Sequence, residues 1–332
     1  MVRQSISAFL ILLLASCGGL PATSVPLAVQ QTPTAVNTAA STATPIPDIY
    51  EQGVGLFDYE AQSSVLITES SVQQEDGYAI YDITYPSPKT GEVPAYLVLP
   101  EGPGPFAGII LMHGSSGSRS TLLPLAKDLA HTGAAVLTIS APSARTPGRD
   151  WITFTPRDRD EQIQLMVDLR RGVDLLTQHE KVDPARLGYV GYSYGAAMGG
   201  LLAGIEPRIK AYGLMVGDGG LVNHFMEDGE PVGGFEQFDA ATRERWLEAM
   251  EPIEPIHYVG HASPSALFFQ NARHDRSVTE GDALAYQAAG SEPKKVQWYD
   301  SGHGLPQQAY LDMVNWLAEQ IGIDGAKFHP SR

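Results

Sequence analysis

The chain has one cysteine, Cys17, in 332 residues. No disulfide can form within it, and no thiol chemistry is left for a domain that begins after that position. Basic residues are scarce: 22 Lys and Arg stand against 38 Asp and Glu, for a formal net charge of −16. That balance disfavours a nucleic-acid partner, because phosphate binding needs basic surface. The most apolar stretch, residues 6–15, is shorter than the ~20 residues of a comfortable membrane span. No His-Glu-x-x-His or Cys-x-x-Cys spacing occurs, so no metal site is expected. No Walker or dinucleotide glycine loop occurs either, so no cofactor is expected.

What is present begins with an N-terminal targeting pattern. Arg3 precedes the apolar stretch, which runs into Leu14-Ala15-Ser16-Cys17. Residues 1–17 read as a signal peptide, and its end resembles a bacterial lipoprotein box. The resemblance implies that Cys17 carries lipid, becomes the mature N-terminus and holds the protein outside the cytoplasm on a membrane. An ordinary secretory signal, giving a soluble secreted protein, is the alternative. Residues 18–49 are rich in Thr, Ala, Pro and Ser and carry almost no charge. Such a segment cannot bury a core and reads as a flexible tether, with O-linked sugars as a second possibility.

From residue 50 to 332 the composition is that of a folded domain, and the 43% hydrophobic content of the chain can supply one large core. Strands are expected at 65–68, 78–85 and 95–99, joined by turns at 74–77 and 88–91. Strands and helices then alternate. This predicts a mostly parallel sheet with antiparallel N-terminal strands and helices on both faces, an α/β architecture. Helices are expected after residue 120, over 158–179, after residue 195 and over 306–321, each with an apolar stripe. Residues 217–262 interrupt the alternation and read as a lid-like insertion whose Phe225, Phe235, Phe238 or Trp246 reach a substrate pocket, with aromatics that anchor a surface excursion as the alternative.

Gly191-Tyr192-Ser193-Tyr194-Gly195 lies between a short apolar strand and a small-residue helix. Strand, Gly-x-Ser-x-Gly and helix make a nucleophile elbow, in which a sharp turn lifts the serine oxygen out of the sheet. Three further segments follow apolar runs: His113-Gly114-Ser115-Ser116-Gly117, Asp275, and Asp300-Ser301-Gly302-His303-Gly304. A serine hydroxyl needs a base, and the base needs a group to fix its tautomer. Ser193 is the candidate nucleophile, His303 the base and Asp275 its orienting acid, in the chain order Ser, Asp, His. Asp218 follows another strand end and is the alternative acid. The Tyr194 amide and a second amide, that of Ser115 or else Ser116, are the candidate oxyanion donors. His113 reads as shaping that loop. His274 is on the wrong strand end for the base, and His224 reads as an ordinary polar residue.

With these residues in place, the region from about residue 65 to 321 resembles the α/β-hydrolase superfamily. It is most similar to the dienelactone hydrolase-like, acetyl-xylan-esterase-like and prolyl-oligopeptidase-like group. Val182-Asp183-Pro184-Ala185-Arg186-Leu187-Gly188 approaches the elbow as in that group. It departs in having Ser193 where true dienelactone hydrolases have cysteine, and it shows no propeller-like stretch. The resemblance implies a serine esterase acting on small-molecule carboxylic esters through an acyl-enzyme. A peptidase or amidase with the same triad is the second reading, and a non-catalytic binding lipoprotein on the same scaffold the third.

Overall fold

The structure is a computed structural model that describes residues 48–61 and 64–330. The signal peptide, Cys17 and all but the last two residues of the 18–49 tether lie outside the described residues. A one-turn helix, α1 (Ile49–Gly53), is capped by Asp48, whose carboxylate accepts the Glu51 amide. β1 (Thr68–Glu75), β2 (Tyr78–Pro86) and β3 (Glu92–Pro100) then pair antiparallel. The chain continues through β4 (Phe106–Met112), α2 (Leu123–His131), β5 (Ala134–Ile139), α3 (Pro156–Gln178), β6 (Val182–Tyr192), α4 (Tyr194–Ile205) and β7 (Ala211–Met215). An insertion follows with α5 (Leu221–Phe225), the hairpin strands β8 (Met226–Glu227) and β9 (Glu230–Pro231), and α6 (Ala240–Met250). β10 (Ala266–Ala272), α7 (Glu280–Ala289), β11 (Lys294–Tyr299) and α8 (Gln307–Ile321) complete the fold.

The main sheet has nine strands in the order β1-β2-β3-β5-β4-β6-β7-β10-β11. β3 meets β5 antiparallel, and from β5 to β11 every neighbour is parallel. The central strands are apolar at nearly every position because both faces are covered. In β4, Ala107, Ile109 and Leu111 pack with α2 and α8, while Ile110 and Met112 face the core shared with α3 and α4. This is the α/β-hydrolase fold. All the parallel strands point the same way, so the loops after β4, β6, β7, β10 and β11 meet along one rim.

Two expectations change. The first strand starts at Thr68 and runs through Glu75, not over 65–68. β1 is an edge strand whose side chains are almost all exposed; it is held by backbone pairing to β2, and polar edge residues carry no apolar signal. The second concerns the insertion. Phe235, Trp246 and Phe225 are buried, and together with Phe238 they surround Phe154 at ring-centroid distances of 4.8 to 5.3 Å. Trp246 also donates to the Asp158 carboxylate at 2.9 Å. These aromatics pin the insertion to the start of α3 and do not line the cleft at Ser193.

Candidate active site

Ser193 sits between β6 and α4 with φ 55° and ψ −122°. A non-glycine residue rarely holds such a backbone, and it persists only where its surroundings enforce it. Here the Ser193 amide donates to the Met215 carbonyl at 2.8 Å, and the Ser193 carbonyl accepts Ala196 and Ala197 at 2.7 and 3.1 Å. The motif glycines are required by close approach. A Cβ on Gly191 would collide with the Gly195 carbonyl, and one on Gly195 with the Met112 carbonyl. The turn is thus pressed against the end of β4, beside the loop that carries Ser115.

The structure brings three of the expected side chains into one chain of contacts. His303 Nε2 lies 2.9 Å from Ser193 Oγ, and His303 Nδ1 lies 2.8 Å and 3.0 Å from the two Asp275 oxygens. With Nδ1–H donating to the carboxylate, Nε2 is free to accept the serine proton. The Asp275 carboxyl group is almost fully buried. Burial raises its pKa, but hydrogen bonds from His303 and from the Ser277 and Val278 amides outweigh this and hold it below the usual carboxylate range. The carboxylate therefore stays ionised beside the imidazole.

Neighbouring groups fix the two loops. The Tyr192 hydroxyl donates to the His303 carbonyl at 2.6 Å. Its pKa is pushed up to about 12, first by burial and then by Tyr310 and Asp275, so it remains a donor. His113 accepts the Ala141 amide on Nε2 at 3.1 Å, which leaves Nδ1–H to donate to the Gly114 carbonyl at 2.7 Å. Burial lowers its pKa and keeps the ring neutral. Ser115 lines the cleft at Ser193, and the Tyr194 amide is the first N–H of α4, which helix geometry leaves without an intrahelical acceptor.

The alternative acid lies elsewhere. Asp218 accepts from His224 Nδ1 at 2.8 Å and from the Gly220 amide at 3.2 Å, and does not touch His303. His274 is mostly exposed and pairs with Asp300 at 2.7 Å. The Asp218–His224 pair was not legible as a unit, although both residues and Leu221 line the cleft with Ser193, Ser115, Trp151 and Val278. Among the described residues, no group of three or more His, Cys, Asp or Glu is arranged to hold a metal.

Burial pushes the His224 pKa down, but Asp218, and then Asp282 and Asp275, raise it above its ordinary value. A group whose folded pKa is raised stabilises fully below its unfolded value of about 6.5, and the effect fades as pH climbs through the higher folded value. Melting curves of wild type and His224→Gln from about pH 5 to about pH 9 should therefore differ most in acid and draw together in base. A gap independent of pH would show that the pair does not titrate.

Residues 126–324, more than half of the chain, match the prolyl oligopeptidase family. A stretch of 140 residues is 30% identical to a Methylorubrum extorquens protein provisionally named a carboxymethylenebutenolidase, covering 39% of this chain and 47% of that protein. The chain thus spans about half the length of the curated relative it matches. Solved structures with the same fold include an acetyl xylan esterase from Paenibacillus sp. R4, with TM-score 0.67, 18% identity, and coverage of 82% of this chain and 93% of that one. Acetyl xylan esterase 1 from a Thermoanaerobacterium species gives TM-score 0.67, 15% identity, and coverage of 83% and 94%. At these identities the likeness is one of fold.

Proposed function

The chain belongs to the prolyl oligopeptidase family, and on that footing we propose that it is a serine hydrolase cleaving small carboxylic esters through an acyl-enzyme. The observation that carries this reading is the unbroken run from Ser193 Oγ through His303 to Asp275, with contacts of 2.9 and 2.8 Å. His303 Nε2 takes the proton of Ser193 as Oγ attacks the ester carbonyl, and Asp275 stabilises the resulting imidazolium. The Tyr194 and Ser115 amides receive the oxyanion. His303 then protonates the departing alcohol, and the acyl group stays on Ser193. Water, deprotonated by the same imidazole, attacks the acyl carbon and releases the acid. Ester and water become acid and alcohol, with no cofactor.

The cleft beside Ser193 is open to solvent, and its inner space is about 30 Å³, the room of a water molecule or two. The acetyl xylan esterases that share the fold act, by their names, on a two-carbon acyl group, and the volume here suits an acyl of that size. A panel of p-nitrophenyl esters from acetate to octanoate, run beside Gly-Pro p-nitroanilide, tests this. We expect kcat/KM to be highest at acetate and to fall roughly tenfold or more once the acyl chain outgrows the cleft. If the peptide analogue or the octanoate ester is the best substrate, the reading is wrong.

A further inference from the structure

We propose that His224 contacts the substrate and sets its specificity, its Nε2 pairing with a hydroxyl on a short acyl chain, so that esters of short hydroxyacids depend on this residue and their deoxy counterparts do not. This rests on the esterase reading above. His224 is carried by α5 and lines the cleft that holds Ser193. Its Nδ1 is committed to Asp218 at 2.8 Å, so Nε2 is left for another partner. None of the described residues supplies one, yet Nε2 is not among the buried polar atoms sealed from water. The side chain is 30% exposed, so Nε2 meets solvent and is open to a ligand. The ring stands on the triad side of the cleft, where Asp275 and Asp282 act on its charge. It is also held in place. The buried Glu254 carboxylate accepts the Leu221 and Val222 amides at 3.1 and 2.9 Å and anchors the start of α5. A fixed ring with a bare polar tip beside a nucleophile is the form a specificity contact takes.

The chemistry of the cleft selects the ligand. On the tetrahedral carbon the oxyanion goes to the Tyr194 and Ser115 amides, and the leaving oxygen goes to His303 Nε2. The acyl chain takes the remaining direction. His303 is not a wall of the cleft, whereas Trp151, Leu221, Val278 and His224 are, so the acyl chain runs among these four. Three of them are apolar, and a chain of two or three carbons with one polar group matches the set. That group is a hydroxyl and not a carboxylate. The charged groups facing the ring are the carboxylates of Asp218, Asp275 and Asp282, and a further carboxylate would be repelled among them. A hydroxyl is neutral. It donates to Nε2 of the neutral ring and accepts from Nε2–H of the charged one. A methyl group in its place would cover Nε2 and leave it without a partner, and that difference is what such a site reads.

The test uses ester pairs in which a methyl replaces the hydroxyl: methyl glycolate against methyl propanoate, and methyl 3-hydroxypropanoate against methyl butanoate. Monomethyl succinate serves as the carboxylate probe. The readout is the kcat/KM ratio within each pair, so intrinsic ester reactivity and the amount of folded protein cancel between wild type and variant. In His224→Asn the amide N–H takes the place of Nδ1–H against Asp218, and nothing replaces Nε2. In His224→Phe an apolar ring fills the space. In at least one pair the ratio should be about tenfold higher in wild type than in His224→Asn. If His224→Asn does not fold, as judged by its melting curve, His224→Phe is read in the same way. A ratio within about twofold of wild type for both pairs overturns the contact. If monomethyl succinate is the best of the five esters and loses that rank in the variant, the ring reads a carboxylate and the hydroxyl assignment is overturned. If wild type cleaves no ester faster than Ser193→Ala does, the esterase reading falls, and the contact with it. If cleavage depends on Ser193 but the ratios do not depend on His224, only the contact falls.

Discussion

Ser193→Ala should lower kcat/KM on p-nitrophenyl acetate by roughly a millionfold, the scale seen when a triad serine is removed. The size of the effect follows from the loss of the nucleophile itself: His303 keeps its base but has no hydroxyl within 2.9 Å to activate. The Tyr194 and Ser115 amides, proposed as oxyanion donors, do not depend on the Ser193 side chain, so a residual acceleration of about 10³ to 10⁴ over water should remain. The fold should survive. The backbone at φ 55° is held by the Met215 carbonyl and by the first amides of α4, none of which involves the side chain. A melting temperature within a few degrees of wild type, with ester turnover near background and no labelling by a fluorophosphonate, is the expected result. Retention of more than a few per cent of the activity would mean that the 2.9 Å contact is incidental to the reaction.

The elbow could be read from sequence because its motif is compact. At Gly191 a Cβ would meet the Gly195 carbonyl, a constraint within five residues of chain, whereas at Gly195 it would meet the Met112 carbonyl at the end of β4, a constraint that only the folded sheet supplies. The positions of Ser115, Asp275 and His303 could also be read, since each follows an apolar run that becomes a parallel strand, and parallel strands deliver their loops to one rim. The pairing of carboxylates with imidazoles is a different matter. Asp218 and Asp275 both leave strand ends, and chain order alone does not say which meets His303. That is decided by α5, which carries His224 back over Asp218, and by the Ser277 and Val278 amides, which hold Asp275.

The aromatics of the insertion show the same limit. Hydrophobicity says that Phe235 and Trp246 will be buried, not against what. Their partner, Phe154, comes from the segment before α3, far upstream in sequence.

Asp275→Asn should cost about 10⁴ in kcat, while Asp218→Asn should cost less than about tenfold. The contrast follows from how each carboxylate is held. Asp275 Oδ1 accepts two backbone amides, from Ser277 at 2.8 Å and Val278 at 3.1 Å. In the asparagine variant the surviving carbonyl oxygen must keep those two donors, since turning it away would set N–H against N–H. The amide nitrogen is then forced toward His303. A donor facing Nδ1 drives the imidazole proton to Nε2, where it points at Ser193 and blocks the transfer that begins the reaction. The geometry survives and the tautomer is wrong. Asp218 faces only His224 and the Gly220 amide, so its amide variant disturbs the cleft wall and leaves the His303 tautomer untouched. Steady-state kinetics of both variants on p-nitrophenyl acetate, with melting temperatures as a control for folding, decide the matter. A larger loss in Asp218→Asn than in Asp275→Asn would reassign the acid.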